Sequence, residues 1–193
     1  GIRGVVADII HVQKDYEVAI ETALGGSIQN IVTDNEQTAK RMISFLKKNR
    51  YGRATFLPLS NISGRGGFAQ KDVLREPGVV GTANTLVEAD AEYSELVMYL
   101  LGRVLVVDNI DHAIAIGKKY RHSLRMVTIE GESLSPGGSM TGGAFKNNSN
   151  LLGRRREIEE LERSVGILKK ELEETQRAIG ENRSRRNVLR DTI

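Results

Sequence analysis

Four glycines stand in two pairs within one short stretch, and closely spaced glycines are what a phosphate-binding loop needs. The stretch reads SLSPGGSMTGGAF and covers residues 133–145. The second glycine of each pair has the spacing of a Walker phosphate loop, but alanine and phenylalanine follow where that loop carries lysine and a hydroxyl residue. No cation would meet the phosphates, so we do not predict nucleotide binding here. The four glycines are Gly137, Gly138, Gly142 and Gly143.

The other residues that could do chemistry are few and scattered. The chain has no cysteine, which removes disulfides, thiol catalysis and cysteine-bound metals. The three histidines, His11, His112 and His122, have no metal-ligand spacing with one another. Carboxylates such as Asp8 and Asp15 are better explained as surface groups than as an acid–base pair. We therefore predict no catalytic residue, no metal site and no cofactor in this chain, and so no enzyme.

Two basic clusters could contact phosphates. The whole chain has 28 basic and 25 acidic side chains, so a nucleic-acid site must be a local patch. Cations at the end of a helix favour its dipole, whereas cations at its start do not. The first cluster closes a predicted helix and the second opens one without local benefit, which makes the second more informative. No aromatic pair is expected near either cluster to stack bases. The clusters are Lys47, Lys48, Arg50 and Arg53, and Arg154, Arg155 and Arg156.

The paired glycines have three further explanations: a flexible linker, a set of tight turns, or a strand pressed against another backbone. A turn accounts for Pro136 and Gly137. A linker fits the polar run that follows, residues 145–150, better than it fits the glycines, because Met140 is apolar. Glycine in a strand often marks the close approach of another backbone. We therefore predict a short edge strand through SMT (139–141), with a glycine pair on each side.

The last forty residues follow a heptad. The composition changes at about Leu152, after which the chain has no proline and no aromatic residue. Apolar residues then recur with 3-4 spacing over five heptads, which is typical of a coiled coil. A helix of this length extends about 60 Å at 1.5 Å per residue, and its seam requires a partner helix from another chain or from sequence before Gly1. The seam residues are Ile158, Leu161, Val165, Leu168, Leu172, Ile179 and Leu189.

An internal repeat organises the part before the heptad. Each half reads helix, strand, helix, strand, with an Asp-Asn pair where the N-cap of the second helix belongs. We predict that Ala39, Met42, Ile43 and Leu46 form the apolar face of that helix in the first half. The repeated segments are YEVAIETALG (16–25) and YSELVMYLLG (93–102), IVTDNEQTA (31–39) and LVVDNIDHA (105–113), and GRATFLPL (52–59) and LRMVTIEG (124–131).

These patterns predict an α/β (α+β) domain followed by a long coiled-coil helix. The domain covers residues 1–150 and consists of two related lobes of helices and short sheets, at about 1–60 and 79–145. A connector rich in glycine, serine and asparagine, 61–78, joins the lobes, and the coiled-coil segment covers 151–193. No run of 18 apolar residues is present, so we predict no membrane span.

The chain closely resembles the hinge domain of bacterial structural maintenance of chromosomes (SMC) proteins, with the start of the returning coiled-coil arm. The resemblance covers essentially residues 1–150. The most specific segments are GGSIQNIV followed by GRATFLPL, and the glycine-rich SPGGSMTGG. Other matching segments are GVVADIIHV, GVVGTANTLVEAD, LLGRVLVVDNIDHAIAI and VTIEGESLSPGGSMTGG.

The resemblance implies a homodimerisation hinge of a chromosome-condensation and partitioning ATPase complex, located in the cytoplasm at the nucleoid. It implies that the ascending arm helix of the same chain pairs with the seam, and that the ATPase heads lie elsewhere. It also implies weak, sequence-independent DNA binding, single strands preferred, through the two basic clusters. The alternative is a purely structural dimerisation scaffold without DNA contact. The implied dimer interface is Gly137, Gly138, Ser139, Met140, Thr141, Gly142 and Gly143.

Overall fold

The computed structural model describes residues 1–64, 67–143 and 151–191. Two compact units divide the chain, residues 1–153 and 154–193. The polar run predicted as a linker, 145–150, lies outside the described residues. Within the described ranges, no helix combines the length and the apolar character that crossing a membrane requires.

The helices and strands fall into two halves, followed by one long helix. The first half contains β1 (Ile2–Val5), α1 (Val6–Ile9), β2 (His11–Val12), α2 (Glu17–Leu24), β3 (Ile31–Thr33), α3 (Glu36–Lys48) and β4 (Phe56–Pro58). The second half contains β5 (Val79–Thr82), β6 (Val87–Glu88), α4 (Ser94–Leu101), β7 (Val104–Val107), α5 (Ile110–Lys119), β8 (Arg125–Thr128), β9 (Ser133–Leu134) and β10 (Met140–Thr141). The long helix α6 covers Leu151–Asp191.

The strands form three small sheets. The first has the order β1-β3-β4 and the second the order β10-β9-β8-β7-β5, while β2 and β6 pair across the two halves. In each larger sheet the two repeated strands, β3 with β4 and β7 with β8, run parallel, and the added strands are antiparallel. The predicted α/β (α+β) class and the helix–strand–helix–strand order of each half are confirmed.

The repeat begins earlier than the sequence analysis predicts. β1 pairs with β3 as β5 pairs with β7, and each pairing has an irregularity at a glycine. That glycine is Gly4 in the first half and Gly81 in the second, with φ angles of +142° and +158°. An irregularity of this kind bends a strand and increases its twist. Each half is therefore a longer unit, which starts with a bent antiparallel strand.

Both repeated helices begin at the predicted asparagine caps. The Oδ1 of Asn35 accepts a hydrogen bond from the backbone N–H of Thr38 at 3.0 Å, and the Oδ1 of Asn109 accepts one from His112 at 2.9 Å. Such a cap satisfies a donor that the first turn leaves unpaired and stabilises a helix by about 1 kcal/mol. The Asp-Asn pairs therefore fix the start of α3 and α5.

Both helices also end in the same way. The N–H of Arg50 bonds to Lys47 and that of Tyr51 to Leu46, which is the hydrogen-bond pattern of a Schellman motif. Arg50 has a φ of +55°, in the left-handed region that glycine usually occupies at this point. The end of α5 has the same bonds, with Arg121 at a φ of +55°. A left-handed arginine costs roughly 1 kcal/mol relative to glycine, so both halves keep a strained basic residue here.

One hydrophobic core joins the two halves. Ile20 of α2 and Val32 of β3 pack in the same cluster as Leu96 and Leu101 of α4 and Val106 of β7. A second cluster lies between β7, β8 and α5. The predicted connector takes part in it, because a short 3₁₀ turn, Lys71–Arg75, places the Val73 side chain there fully buried. The lobes are therefore related in sequence but not separate in packing.

The start of α6 packs on the shared core, whereas the rest of the helix is exposed. Leu152 is buried in the core cluster, and the backbone N–H of Leu151 donates to Oε1 of Glu21 at 3.2 Å. A carboxylate at this end of a helix interacts favourably with its dipole. The predicted helix is confirmed over 151–191, and the apolar seam from Ile158 to Leu189 lies exposed along it.

Candidate functional site

The glycine-rich stretch forms a hairpin at the edge of the five-stranded sheet. β9 and β10 are antiparallel, with Met140 opposite Leu134 and Thr141 opposite Ser133. β10 stands last in the strand order, so its outer side has no strand partner among the described residues. The Met140 side chain is 52% exposed. The predicted edge strand is thus present, although its described pairing covers only Met140 and Thr141.

The hydrogen bonds of the hairpin determine which peptide groups of β10 face its open side. The N–H of Ser135 donates to the carbonyl of Ser139 at 2.9 Å and closes the hairpin. Because hydrogen-bonding direction alternates along a strand, Ser139 and Thr141 direct their peptide groups toward β9. Met140 and Gly142 then direct theirs outward. An unpaired edge of this kind is a template for a strand from another chain.

Backbone geometry accounts for three of the four glycines. Gly137 and Gly138 form the hairpin turn with φ angles of +90° and +92°, and Gly143 has a φ of +135°. These are conformations that residues with a Cβ rarely adopt. Gly142 differs, because its φ is ordinary and a Cβ there would lie 3.0 Å from Cγ of Glu132, the flexible side chain of a neighbouring turn. The turn explanation therefore holds for the first pair, and close approach of a second backbone stays a prediction for the edge.

The first basic cluster surrounds the end of α3. Lys47 and Lys48 lie in the last helical turn, and Arg50 and Arg53 follow in the exposed segment before β4. All four side chains are exposed, and within the described residues none of them makes an ion pair or a side-chain hydrogen bond. Their charges are therefore not neutralised locally.

The corresponding end of α5 is occupied by neighbouring groups. Lys119 Nζ lies 2.6 Å from Oε1 of Glu76, and the Tyr120 hydroxyl donates to the same oxygen at 2.9 Å. The hydrogen bond from Lys119, followed by that from Tyr120, lowers the pKa of Glu76 below its ordinary value. The β9–β10 turn also contacts His122, whose carbonyl accepts from the N–H of Gly137. Of two equivalent helix ends, the first is open and the second is engaged.

The expectation that no aromatic pair lies near a basic cluster is wrong. The rings of Phe45 and Tyr51 contact each other at the end of α3, with centroids 5.9 Å apart and a tilt of 60°. They are 52% and 62% exposed, within the cluster that contains Lys47 and Lys48. Ile43, which the sequence places on the apolar face of α3, is 52% exposed and so does not pack into the core. The end of α3 is thus both basic and apolar on its outer surface.

The expectation that the arginines at the start of α6 have no local benefit there is wrong as well. Arg155 Nε lies 2.9 Å from Oε1 of Glu159, and Arg156 Nη1 lies 2.8 Å from Oε1 of Glu160. Both are i,i+4 pairs along α6, which support a helix. Arg155 and Arg156 therefore have a local structural role at the start of α6. The DNA contact of the triplet remains a prediction, and the 47–53 cluster is the more informative of the two.

The sequence does contain a signal for the basic surface, which is a long segment without carboxylates. From Gln37 to Lys71 the chain contains eight basic residues and no carboxylate. The rest of the chain holds 20 of the 28 basic residues against all 25 acidic ones, so it is net acidic. The overall balance hides this segregation of charge. Within the described residues, no group of three or more metal-ligating side chains is found.

The fold and its open edge define a class of protein. The family model of the flexible hinge domain of SMC proteins matches residues 1–117, and the chain belongs to this family. Chromosome partition protein Smc of Bacillus subtilis is 43% identical over 190 residues, which are 93% of this chain and 16% of that protein. The corresponding protein of Lactiplantibacillus plantarum is 40% identical over 175 residues, covering 89% and 15%. The chain thus spans about 15% of the length of these curated relatives.

Solved hinge structures share the fold. The chain superposes with a TM-score of 0.79 on the Geobacillus stearothermophilus SMC hinge domain, described as an asymmetric dimer, at 41% identity over 93% of this chain and 73% of that one. The Pyrococcus furiosus Smc hinge domain with an extended coiled coil gives a TM-score of 0.65 at 33% identity, covering 92% and 65%.

Proposed function

We propose that this chain is the homodimerisation hinge of a chromosome-condensation and partitioning protein and pairs with a second copy through β10. The observation that carries the proposal is the open edge of β10, with outward peptide groups at Met140 and Gly142. The dimeric hinge of Geobacillus stearothermophilus, which is similar over 93% of the chain, supports it. The apolar seam of α6 would pair with the ascending arm helix of the same protein, and the ATPase heads would lie at the far ends of the arms. The whole protein would act at the nucleoid.

Two strand pairings would satisfy a twofold dimer. β10 can pair with β10 of the second copy. Alternatively, β10 of each copy can pair with a different open edge of the other copy, which gives two equivalent contacts. β4 is such an edge, because Thr55 and Leu59 direct their hydrogen bonds toward β3, and Phe56 and Pro58 face outward by alternation. Pro58 has no N–H to offer, which is tolerated only at an edge.

A cysteine experiment tests the dimer and separates the pairings, because the chain has no natural cysteine. We expect light scattering at tens of micromolar to give twice 21.3 kDa. Met140→Cys alone should form a disulfide dimer if β10 pairs with itself. Met140→Cys combined with Phe56→Cys should be required if β10 pairs with β4. Asp111→Cys, an exposed position at the start of α5, is the control and should not cross-link. A monomeric mass, or a dimer that none of the β10 variants cross-links, would contradict the proposal.

We further propose that the hinge binds DNA weakly and without sequence preference, single strands preferred, through Lys47, Lys48, Arg50, Arg53 and the arginine triplet. Exposed cations without ion pairs release counterions from phosphates when they bind. The support is the acid-free run from Gln37 to Lys71 and the open end of α3. A scaffold without DNA contact is the alternative, and the following measurement separates the two.

The variant Lys47→Gln/Lys48→Gln/Arg53→Gln is expected to weaken binding of a labelled single strand and to flatten its salt dependence. Each lost phosphate contact reduces the slope of log affinity against log salt by about 0.7, so three contacts reduce it by about 2. The matched control removes the same charge elsewhere, as Lys118→Gln/Lys169→Gln/Lys170→Gln, and should change the slope by less than one contact. A smaller loss is expected for Arg154→Gln/Arg155→Gln/Arg156→Gln, because two of those cations already pair with glutamates. Equal effects of the first variant and the control would show that the cluster is not a site.

A further inference from the structure

Two exposed aromatic rings form a contact at the end of α3. Among the aromatic side chains in the described ranges, only Phe45, Tyr51 and Tyr99 are more than half exposed, and two of these three touch each other. Single exposed apolar residues are common on protein surfaces and need no explanation. Two exposed rings in mutual contact inside a basic cluster are not a single exposed apolar residue and do require an explanation.

The conformation of the backbone at the end of α3 brings the two rings together. Tyr51 lies six positions after Phe45, a spacing at which two residues do not meet on a helix. The left-handed Arg50 turns the chain back, so that the N–H of Tyr51 reaches the carbonyl of Leu46 at 3.0 Å. The Asn49 side chain also donates to the carbonyl of Phe45 at 2.8 Å and holds the last turn. The strained helix end therefore fixes the tyrosine ring beside the phenylalanine ring.

In the second half of the chain, the same motif is in contact with neighbouring groups. Arg121 repeats the left-handed arginine, and His122 takes the place of Tyr51. The β9–β10 turn contacts that histidine, since a Cβ on Gly138 would be 3.6 Å from its ring, although the His122 side chain itself remains exposed. A Lys119–Glu76 ion pair neutralises the neighbouring lysine. In the first half both rings are more than half exposed and no counter-charge pairs with the cations among the described residues, so the rings and the cations face solvent together.

We propose that Phe45 and Tyr51 are a stacking platform for the bases of single-stranded DNA, with Lys47, Lys48 and Arg53 holding the phosphates on either side. This proposal rests on the DNA contact proposed above and names the groups that would give it a preference for single strands. Bases stack on exposed aromatic faces without regard to sequence, and cations follow the backbone. In a duplex the base faces are already stacked on one another, so the platform has nothing to bind there.

The charge around the platform favours a polyanion over a protein partner. No carboxylate occurs between Gln37 and Lys71, and the cluster offers four exposed cations to whatever the rings contact. A partner face for two aromatic rings alone would not require this density of positive charge. The competing occupant is the second copy of this chain, which would bury the rings at the dimer interface, and the test below includes that outcome.

Two probes of equal charge test the platform: a labelled oligothymidylate of 20 nucleotides and an abasic sugar–phosphate strand of the same length. The wild-type chain is expected to bind the oligothymidylate roughly tenfold more tightly than the abasic strand. Phe45→Ala and Tyr51→Ala should each remove most of this ratio while leaving affinity for the abasic strand and the solution mass unchanged. Tyr99→Ala, an exposed tyrosine outside the cluster, is the matched control and should keep the ratio.

A reporter variant gives a second reading that does not depend on loss of binding. The chain has no tryptophan, so Tyr51→Trp introduces a single indole at the platform. Its fluorescence should be quenched by the oligothymidylate and not by the abasic strand, because only a stacked base contacts the ring.

The outcomes separate this inference from the function on which it rests. If neither probe binds, the proposed DNA contact fails, and the platform fails with it. If both probes bind with equal affinity and the indole is not quenched, the DNA contact stands and the platform is wrong. If Phe45→Ala or Tyr51→Ala halves the solution mass, the rings belong to the dimer interface and the platform is wrong. Loss of the base preference at constant mass, with quenching by the oligothymidylate alone, supports the proposal.

Discussion

Replacing Met140 with aspartate is expected to convert the dimer into a monomer of 21.3 kDa. The variant places a charge on the two-residue edge strand, where pairing of β10 with itself would bring an identical charge close to it and pairing with β4 would bring it against Phe56. We expect the dimer dissociation constant to rise roughly 100-fold, which corresponds to about 2.7 kcal/mol. Sedimentation or light scattering over a range of concentrations measures it.

The fold of each subunit should survive this change. Met140 is half exposed, and its carboxylate replacement would face solvent in the monomer. Ile167→Asp, which adds the same charge at an exposed position of α6 outside the heptad seam, is the control and should leave the mass unchanged. A Met140→Asp variant that stays dimeric at low micromolar concentration would exclude β10 from the interface.

Replacing Leu101 with alanine is expected to lower the free energy of unfolding by about 3 kcal/mol. Leu101 is fully buried at the end of α4, in the cluster that also contains Ile20 and Val32 of the first half. Removal of its side-chain atoms leaves a cavity between the two lobes. Because the core is shared, we expect one cooperative transition in which both lobes unfold at a lower denaturant concentration.

The matched control for that variant is Leu168→Ala on α6, where the side chain is exposed and the change should be within about 0.5 kcal/mol. Both chains must be compared at one protein concentration, because dimerisation adds to apparent stability. Two separate transitions in the Leu101→Ala variant would show that the lobes unfold independently, contrary to the shared core.

The elements that the sequence predicts correctly are those set by local chemistry. Asn35 and Asn109 mark helix starts because a side-chain cap acts within three residues. The strands β3 and β7 are short apolar runs that precede these caps. The bent strands β1 and β5 are missed as repeat partners, since antiparallel pairing joins residues far apart in sequence. Gly4 and Gly81 are a sequence signal for these strands, because each glycine lies at the same distance before the repeated tyrosine of its half.

The candidate site is predicted only in part, for a comparable reason. The edge strand follows from the spacing of the glycines, but the positive φ angles of Gly137, Gly138 and Gly143 depend on how the hairpin closes. The contact between Phe45 and Tyr51 exists only because Arg50 adopts a left-handed conformation. Nothing in the periodicity of α3 shows where its chain turns back. Contacts beyond the end of a helix require the cap geometry, which the sequence specifies weakly.

The pairing of β2 with β6 resembles a contact between two identical subunits. One sequence offset relates Gly4 to Gly81, Tyr16 to Tyr93 and His11 to Glu88, and His11 lies directly opposite Glu88 in this antiparallel pair. Two equivalent strands that meet at equivalent residues reproduce the contact at a twofold axis between identical subunits. The two halves therefore pack against each other as two subunits of a homodimer would, with residues 61–78 as their covalent connection. An isolated half would expose apolar side chains that the shared core now buries, so the covalent connection makes their association independent of protein concentration.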